Sequence, residues 1–254
     1  MTHHHIAVSF TQPEKMQAAE KLAAQLKLPL LTLKESRDAG YDYLLVYTEN
    51  YLGLHQKGAK FAAPFHIDFL SPKLLYREQH ASLKKELLAR AIGVHPRENP
   101  VIIDTTAGLG RDSFILASLG FQMTLLERSP ILHALLSDAM TRASKHPGVK
   151  RMQLELADSI DWLAHHRADI VYLDPMFPER QKSASVKKEM VILQDLLGND
   201  EDAETLLNAA LTCASRRVVV KRPRLAETIS SKQPHFNLTG KSSRFDIYLT
   251  QLKG

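Results

Sequence analysis

Val101-Ile102-Ile103-Asp104-Thr105-Thr106-Ala107-Gly108-Leu109-Gly110-Arg111-Asp112 runs from an apolar segment, through a turn with two glycines, into a stretch with helical patterning. Glycines at 108 and 110 let the backbone come close to a ligand, and a helix N-terminus adds free N–H groups. A Gly-x-Gly pair alone is a weak signal, and Ser113 only half satisfies the third small position of a dinucleotide fingerprint. The apolar segment ends in Asp104. A carboxylate there would repel a pyrophosphate and suits a cationic or amine-bearing ligand.

Outward from this stretch the same alternation recurs. Val101–Asp104, Met123–Glu127, Met152–Leu156, Ile170–Asp174 and Val218–Lys221 are short segments rich in β-branched residues or Leu. Helical stretches at about 111–119, 130–145, 159–166 and 201–215 separate them. The pattern predicts an α/β fold, a Rossmann-like parallel sheet with helices on both faces. Phe236–Leu238 and Phe245–Leu249 flank Thr239-Gly240-Lys241-Ser242, which predicts a C-terminal antiparallel hairpin. On the N-terminal side, Ile6–Phe10, Leu30–Leu33, Tyr43–Tyr47 and Phe65–Leu70 read as strands. Thr11, Pro13 and Glu14 read as a capped helix start before Met16, Ala19, Leu22, Ala23 and Leu26 at helical spacing. Ser71-Pro72 starts a second helical stretch that continues to about Ile92, with Gly93 as its stop. The expected division is a small α/β domain over 1–71 and a larger domain over 72–254.

Composition bounds the function classes. The chain has 254 residues, 44% apolar and 24% charged, which is ordinary globular usage and excludes disorder and collagen. At this length roughly 70–75% of the unfolded surface can be buried, without staples. The single Cys213 excludes an internal disulfide and a Cys-based zinc site, and no metal is expected. No apolar run reaches membrane-spanning length. Met1-Thr2-His3-His4-His5 does not read as a secretory signal, so the cytoplasm is the expected location. His3–His5 has the residue type for a metal but reads as a floppy terminus, His165-His166 reads as solvated, and Trp162 and Cys213 read as packing residues. The net charge of +5 is mild, but basic residues cluster. Arg180, Lys182, Lys187 and Lys188 form one run without an acid; Arg216, Arg217, Lys221, Arg222 and Arg224 form another. Each reads either as a solvated face or as a phosphate-binding surface.

Three further places carry chemistry. Glu127 ends the second segment, 23 residues after Asp104, where an acid can accept both hydroxyls of a ribose. Asp158 and Ser159 follow the third segment; Asp158 fits either a helix cap or an acceptor for an exocyclic amine such as adenine N6. The most specific stretch is Val171-Tyr172-Leu173-Asp174-Pro175-Met176-Phe177-Pro178. Two prolines preset the loop, which offers a carboxylate, carbonyl oxygens and an aromatic ring. That set suits a planar base bearing an amino group: acceptors for its N–H donors and a ring for stacking.

The order Asp-x-x-x-Gly-x-Gly, strand-end Glu, Asp, then Asp-Pro-Met-Phe resembles a class I S-adenosylmethionine-dependent methyltransferase. Asp174–Phe177 is similar to the (Asp/Asn/Ser)-Pro-Pro-(Tyr/Phe) signature of enzymes that methylate exocyclic amines, with Met176 in place of the second proline. More closely, Asp174–Pro178, Gln181–Ala184 through Val186–Met190, Val218–Pro223 and Arg244–Tyr248 resemble the small-subunit (16S) ribosomal RNA guanine-N2 methyltransferase J family. That resemblance covers about residues 66–250. His80-Ala81-Ser82-Leu83-Lys84-Lys85 departs from it, standing where that family has a Gly-rich basic stretch. The resemblance implies S-adenosylmethionine as cofactor, with contacts at Arg111, Asp112, Glu127, Arg128, Asp158, Ser159 and Asp174, beside Asp104, Gly108 and Gly110 of the glycine turn. Of these, Arg111, Asp112 and Arg128 rest on the resemblance alone.

The expected reaction is methylation of the N2 amine of a guanine in small-subunit ribosomal RNA, free or in the assembled subunit. Asp174 and the Pro175 carbonyl would accept the amine N–H bonds and Phe177 would stack on the base. Lys182, Lys187, Lys188, Lys221, Arg222 and Arg244 would hold phosphates, with Lys241 nearby. Other readings stand beside it. An amino-methyltransferase acting on DNA adenine N6 or a protein glutamine would keep the same cofactor site. A non-catalytic RNA-binding protein on this fold would bind RNA without the cofactor. A nicotinamide dehydrogenase leaves Asp174–Pro178 unexplained.

Overall fold

The computed structural model describes residues 5–32, 34–35, 40–58, 63–175, 195–196 and 202–250. Two compact units are present. One contains Met1–Asp68 and Pro130–Arg142, with the segment that holds Asp195. The other is built from Phe69–Ser129, Ala143–Phe177 and Asp200–Gly254.

The smaller unit has four strands in the order β2-β1-β3-β4: Leu30–Leu31 (β2), Ile6–Phe10 (β1), Tyr43–Tyr47 (β3) and Leu52–Gln56 (β4). β1 runs parallel to both β2 and β3, and β3 pairs antiparallel with β4. Ala19, Leu22 and Ala23 of the Met16–Leu26 helix are buried, as the helical spacing requires.

The larger unit carries a seven-stranded sheet in the order β10-β11-β9-β8-β5-β6-β7. These are β5 (Ile102–Asp104), β6 (Met123–Glu127), β7 (Met152–Leu156), β8 (Ala168–Leu173), β9 (Ala214–Pro223), β10 (Phe236–Thr239) and β11 (Ser243–Leu249). The five predicted apolar segments form β5 to β9, all parallel. The predicted hairpin forms β10 and β11, and β11 pairs antiparallel with β9. Ile170, Val171, Tyr172 and Leu173 of β8 are all buried, so this strand is covered on both faces. Val171 and Leu173 join Leu163, Leu206, Leu207, Ala210, Val218 and Val220 in one apolar cluster beneath the Ser159–His165 and Ala203–Cys213 helices. Strand order reverses between β5 and β8, and the loops after these strands flank that switch point, where open α/β sheets bind ligands.

Three expectations differ from the structure. The Thr11 capping box is absent. Thr11 continues the edge of β1, its N–H and hydroxyl both donating to the Tyr47 carbonyl, and a short 3-10 turn over Pro13–Lys15 leads into the helix. The helical stretch after Ser71 is two helices, Pro72–His80 and Leu87–Ile92. Ala81 is extended, and Ser82 opens a local turn in which its side chain and carbonyl take the Lys85 N–H, the competition Ser offers to helical bonding. Phe65–Leu70 makes no strand. Phe65 alone bridges Leu54, and the apolar character of the segment reflects burial of Ile67 and Phe69. Among the described residues no helix is long and apolar enough to cross a membrane.

Candidate active site

The parallel strands end along one edge, and the residues singled out in the sequence follow those ends. Asp104 closes β5, Glu127 closes β6, Asp158 and Ser159 follow β7, and Asp174 follows β8. Loop and helix contacts tie the ends together.

The glycine turn depends on left-handed backbone. Gly108 has φ 53° and Gly110 has φ 66°, values that cost about 1–2 kcal/mol for a residue with a Cβ. Gly110 caps the Arg111–Ser118 helix. The Glu127 carboxylate accepts the Gly108 N–H at 3.2 Å and the Ser129 N–H at 2.8 Å. Glu127 is 7% exposed, so this buried acid fixes the turn against the end of β6. Ser159 Oγ donates to the Thr105 carbonyl at 2.7 Å and ties the β7 end to the same loop. Asp158 takes the helix-cap role, accepting from the Ile160 and Asp161 N–H groups at 2.9 and 3.3 Å.

Asp104 faces inward. It is 2% exposed and accepts from Ser113 Oγ at 2.5 Å and the Thr106 N–H at 3.1 Å. Burial pushes its carboxyl up to about 7 against the lowering effect of those two bonds. Its place is inside the glycine turn, shaping it.

Asp112 is likewise enclosed. Its Oδ2 accepts from Lys221 Nζ at 2.7 Å and from the Tyr172 hydroxyl at 2.8 Å, and its Oδ1 accepts from Arg77 at 2.9 Å. Burial alone would raise this carboxyl, but Lys221 and Arg77 outweigh it and hold Asp112 well below the usual range. Arg77 also donates to Glu86 at 2.9 Å. Lys221 Nζ reaches a second acid, Asp174 Oδ2, at 2.6 Å. Burial lowers the Lys221 ammonium, yet Asp112 and Asp174 more than offset it and leave the ammonium above its ordinary range. The Asp174 backbone N–H donates to Thr106 Oγ1 at 2.6 Å, so the loop after β8 is anchored to the loop after β5.

The remaining predicted residues fall in varied places. Arg111 is exposed at the first turn of its helix. Arg128 pairs with Asp202 at 2.6 Å. Arg222 is 6% exposed and donates twice to the Glu227 carbonyl. Arg244 makes a two-pronged bond to Asp246 at 2.7 and 2.9 Å. Phe177, Lys182, Lys187 and Lys188 lie outside the described residues. Three groups of the site escaped the sequence reading: Arg77, Tyr172 as a hydrogen-bond donor, and Lys221 as a partner of acids. Lys221 stands one position past Val220, which pairs with Leu173, and so lies level with Asp174; this register is set by the sheet and left no signal in the sequence.

Comparison with known proteins decides the family. The model of the SAM-dependent methyltransferase family SAM_MT matches residues 22–250. Proteins called ribosomal RNA small subunit methyltransferase J are similar along nearly the whole chain. The one from Thioalkalivibrio sulfidiphilus is 43% identical, covering 96% of this chain and 98% of its own length. The one from Marinobacter nauticus is 46% identical, covering 96% and 91%. The chain belongs to the small-subunit ribosomal RNA methyltransferase J family. The crystal structure of a SAM-dependent methyltransferase from Neisseria gonorrhoeae is also similar, with 31% identity, a TM-score of 0.72, and coverage of 98% of this chain and 97% of that one.

The family uses S-adenosylmethionine, and the residues present fit that group. Positive-φ glycines open the turn after β5, and a carboxylate closes β6 at the position of a ribose acceptor. A carboxylate has about four lone-pair sites, so Glu127 can serve both the turn and a ligand.

Proposed function

We propose that this chain transfers a methyl group from S-adenosylmethionine to the exocyclic N2 amine of a guanine in small-subunit ribosomal RNA, free or in the assembled subunit, in the cytoplasm. What supports this reading above all is the Asp174–Lys221 contact at the switch point, joined to the names of the relatives. It holds an acceptor at the end of β8, followed by the rigid Pro175.

In this reading Glu127 holds the ribose, Asp158 and Ser159 line the adenine side, and Arg111, Asp112 and Arg128 stand at the ends of the same loops. The cofactor, when bound, supplies a methyl group already activated by its sulfonium. The protein's own task is to place the amine. The guanine amine is a poor nucleophile because its lone pair is delocalised into the ring. Asp174 and the Pro175 carbonyl accept its N–H bonds and favour tetrahedral character at nitrogen. The nitrogen gains the methyl and gives up one proton, which Asp174 is placed to receive. Phe177 stacks on the base. A base taken from RNA structure must first be unstacked, at a few kcal/mol, and phosphate contacts from Lys182, Lys187 and Lys188 offset that cost. The domain over 72–254 carries this chemistry and 1–71 accompanies it.

The test is Asp174→Ala in the full chain, assayed with labelled S-adenosylmethionine on small-subunit ribosomal RNA and on assembled subunits, with digestion to nucleosides. The expected result is loss of N2-methylguanine with cofactor binding reduced but measurable by calorimetry. Parental activity in the variant, or a methylated nucleoside other than N2-methylguanine, would overturn the assignment.

A further inference from the structure

Lys221 stands in a basic run, yet in the folded chain it faces acids. Its ammonium bridges Asp112 and Asp174 at 2.7 and 2.6 Å, and its side chain is 28% exposed. Behind Asp112 stand Arg77 at 2.9 Å and the Tyr172 hydroxyl at 2.8 Å; behind Arg77 stands Glu86 at 2.9 Å. Charges therefore alternate along one chain of contacts: Glu86, Arg77, Asp112, Lys221, Asp174. Each member comes from a different place: Glu86 precedes the Leu87–Ile92 helix, Arg77 lies on the Pro72–His80 helix, Asp112 in the first turn after the glycines, Lys221 on β9, and Asp174 after β8.

An aspartate on a loop turns readily about its χ angles, and a carboxylate that must meet an amine at one angle loses rate when it turns. A second contact holds the backbone beside it: the Asp174 N–H donates to Thr106 Oγ1 at 2.6 Å. With the backbone held by Thr106 and one carboxylate oxygen held by Lys221, the Asp174 carboxylate is fixed in a set direction.

We propose that Lys221 is a positioning residue for the methyl transfer: it fixes Asp174 through one oxygen, braced by Asp112 and Arg77, and does not serve RNA phosphate. The proposal rests on the reading of Asp174 as the acceptor for the substrate amine. It assigns Asp112 the work of holding Lys221, in place of a direct side-chain contact with the cofactor. A misplacement of about 1 Å at a reacting group can cost about 100-fold in rate, so the effect expected of Lys221 is on kcat.

The experiment uses the full chain and small-subunit ribosomal RNA, comparing the parent with Lys221→Met, Lys221→Arg, Asp112→Asn, Asp174→Asn and the Lys221→Met/Asp174→Asn double variant. Circular dichroism checks that each folds, and calorimetry gives cofactor affinity. Lys221→Met is expected to lower kcat by about 10- to 100-fold, with far smaller changes in cofactor affinity and in the KM for RNA. Lys221→Arg should recover part of that rate. The double variant should be no slower than Asp174→Asn alone, because residues acting as one unit are not additive. Should Lys221→Met not fold, Asp112→Asn carries the test, and it too should lower kcat more than it weakens cofactor binding. A higher KM for RNA with unchanged kcat and a shallower salt dependence would make Lys221 a phosphate contact and overturn the proposal. A fall in cofactor affinity that accounts for the lost rate of Asp112→Asn would also overturn it. If Asp174→Asn keeps parental kcat, the reading of Asp174 fails first, and that result differs from a Lys221→Met that stays fast beside a slow Asp174→Asn.

Discussion

The Glu127 carboxylate accepts the Gly108 N–H at 3.2 Å, so one buried acid joins the end of β6 to the glycine turn after β5. The contact makes the shape of the turn depend on the same side chain that is proposed to bind a ribose. Glu127→Ala removes a charge-assisted acceptor, worth about 1.5–3 kcal/mol. Cofactor affinity is expected to fall about 10- to 100-fold in titration calorimetry with S-adenosylmethionine. Affinity equal to the parent's would take Glu127 out of the cofactor site.

Asp104 makes stability depend on pH in an unusual direction. Its folded-state value of about 7 lies above the ordinary 3.8, so between those values the folded chain holds a proton that the unfolded chain has released. Its contribution therefore declines as pH rises from about 4 to about 7. Asp112 acts oppositely: its carboxyl is lowered, and the stability it contributes is lost as pH falls below the ordinary carboxylate range. Urea unfolding from pH 5 to pH 8 should show a smaller decline for Asp104→Asn than for the parent. Parallel curves would mean that Asp104 does not titrate in that window.

Gly93 closes the Leu87–Ile92 helix at φ 68°, and a Cβ there would stand 1.9 Å from Arg217 Nη1. That guanidinium nitrogen donates to the Ala91 carbonyl at 3.1 Å. Gly93→Ala should cost about 1–3 kcal/mol, from left-handed backbone and the displaced hydrogen bond. In a double-mutant cycle with Arg217→Ala the two changes should not add. Simple additivity in denaturant unfolding would show that the guanidinium is not what the new Cβ meets.

Leu207 is fully buried in the cluster with Val171 and Val218. Leu207→Ala should destabilise by about 2–5 kcal/mol, read as a lower urea midpoint with an unchanged slope. A loss below about 1 kcal/mol would show that the Ala203–Cys213 helix collapses into the gap.

Lys187→Glu with Lys188→Glu addresses the proposed RNA contacts. Each lost phosphate contact lowers the slope of log K against log salt by about 0.7–0.9. The double variant should bind ribosomal RNA more weakly, with a shallower salt dependence and unchanged cofactor affinity. An unchanged salt slope would remove both lysines from the phosphate contacts.

Much of the architecture was legible because burial leaves a periodic trace. Ile170–Leu173 is continuously apolar, and a strand covered on both faces needs that. The hairpin was legible from Gly240 between two alternating segments. Where the reading failed, a local polar contact had replaced the inferred pattern. Thr11 satisfies the cap pattern, but its hydroxyl goes to Tyr47, 36 residues away. Ser82 interrupts a stretch whose apolar spacing continues through it. Apolar spacing records which residues are buried and is blind to where a hydroxyl finds its partner.

The site divides in the same way. The sequence by itself determined that the strands run parallel and that acids stand at or just past their ends, Asp104, Glu127, Asp158 and Asp174, since strand ends and glycine turns are local features. Only the tertiary structure decided what each acid does. Asp104 turns inward to Ser113, Glu127 holds Gly108, Asp158 caps its helix, and Asp112 gathers Arg77, Tyr172 and Lys221. The physical reason is that an ionised side chain settles with whichever opposite charge or donor the fold brings within about 3 Å. Arg77 and Lys221 reach Asp112 from 35 and 109 residues away, a separation that no local reading spans.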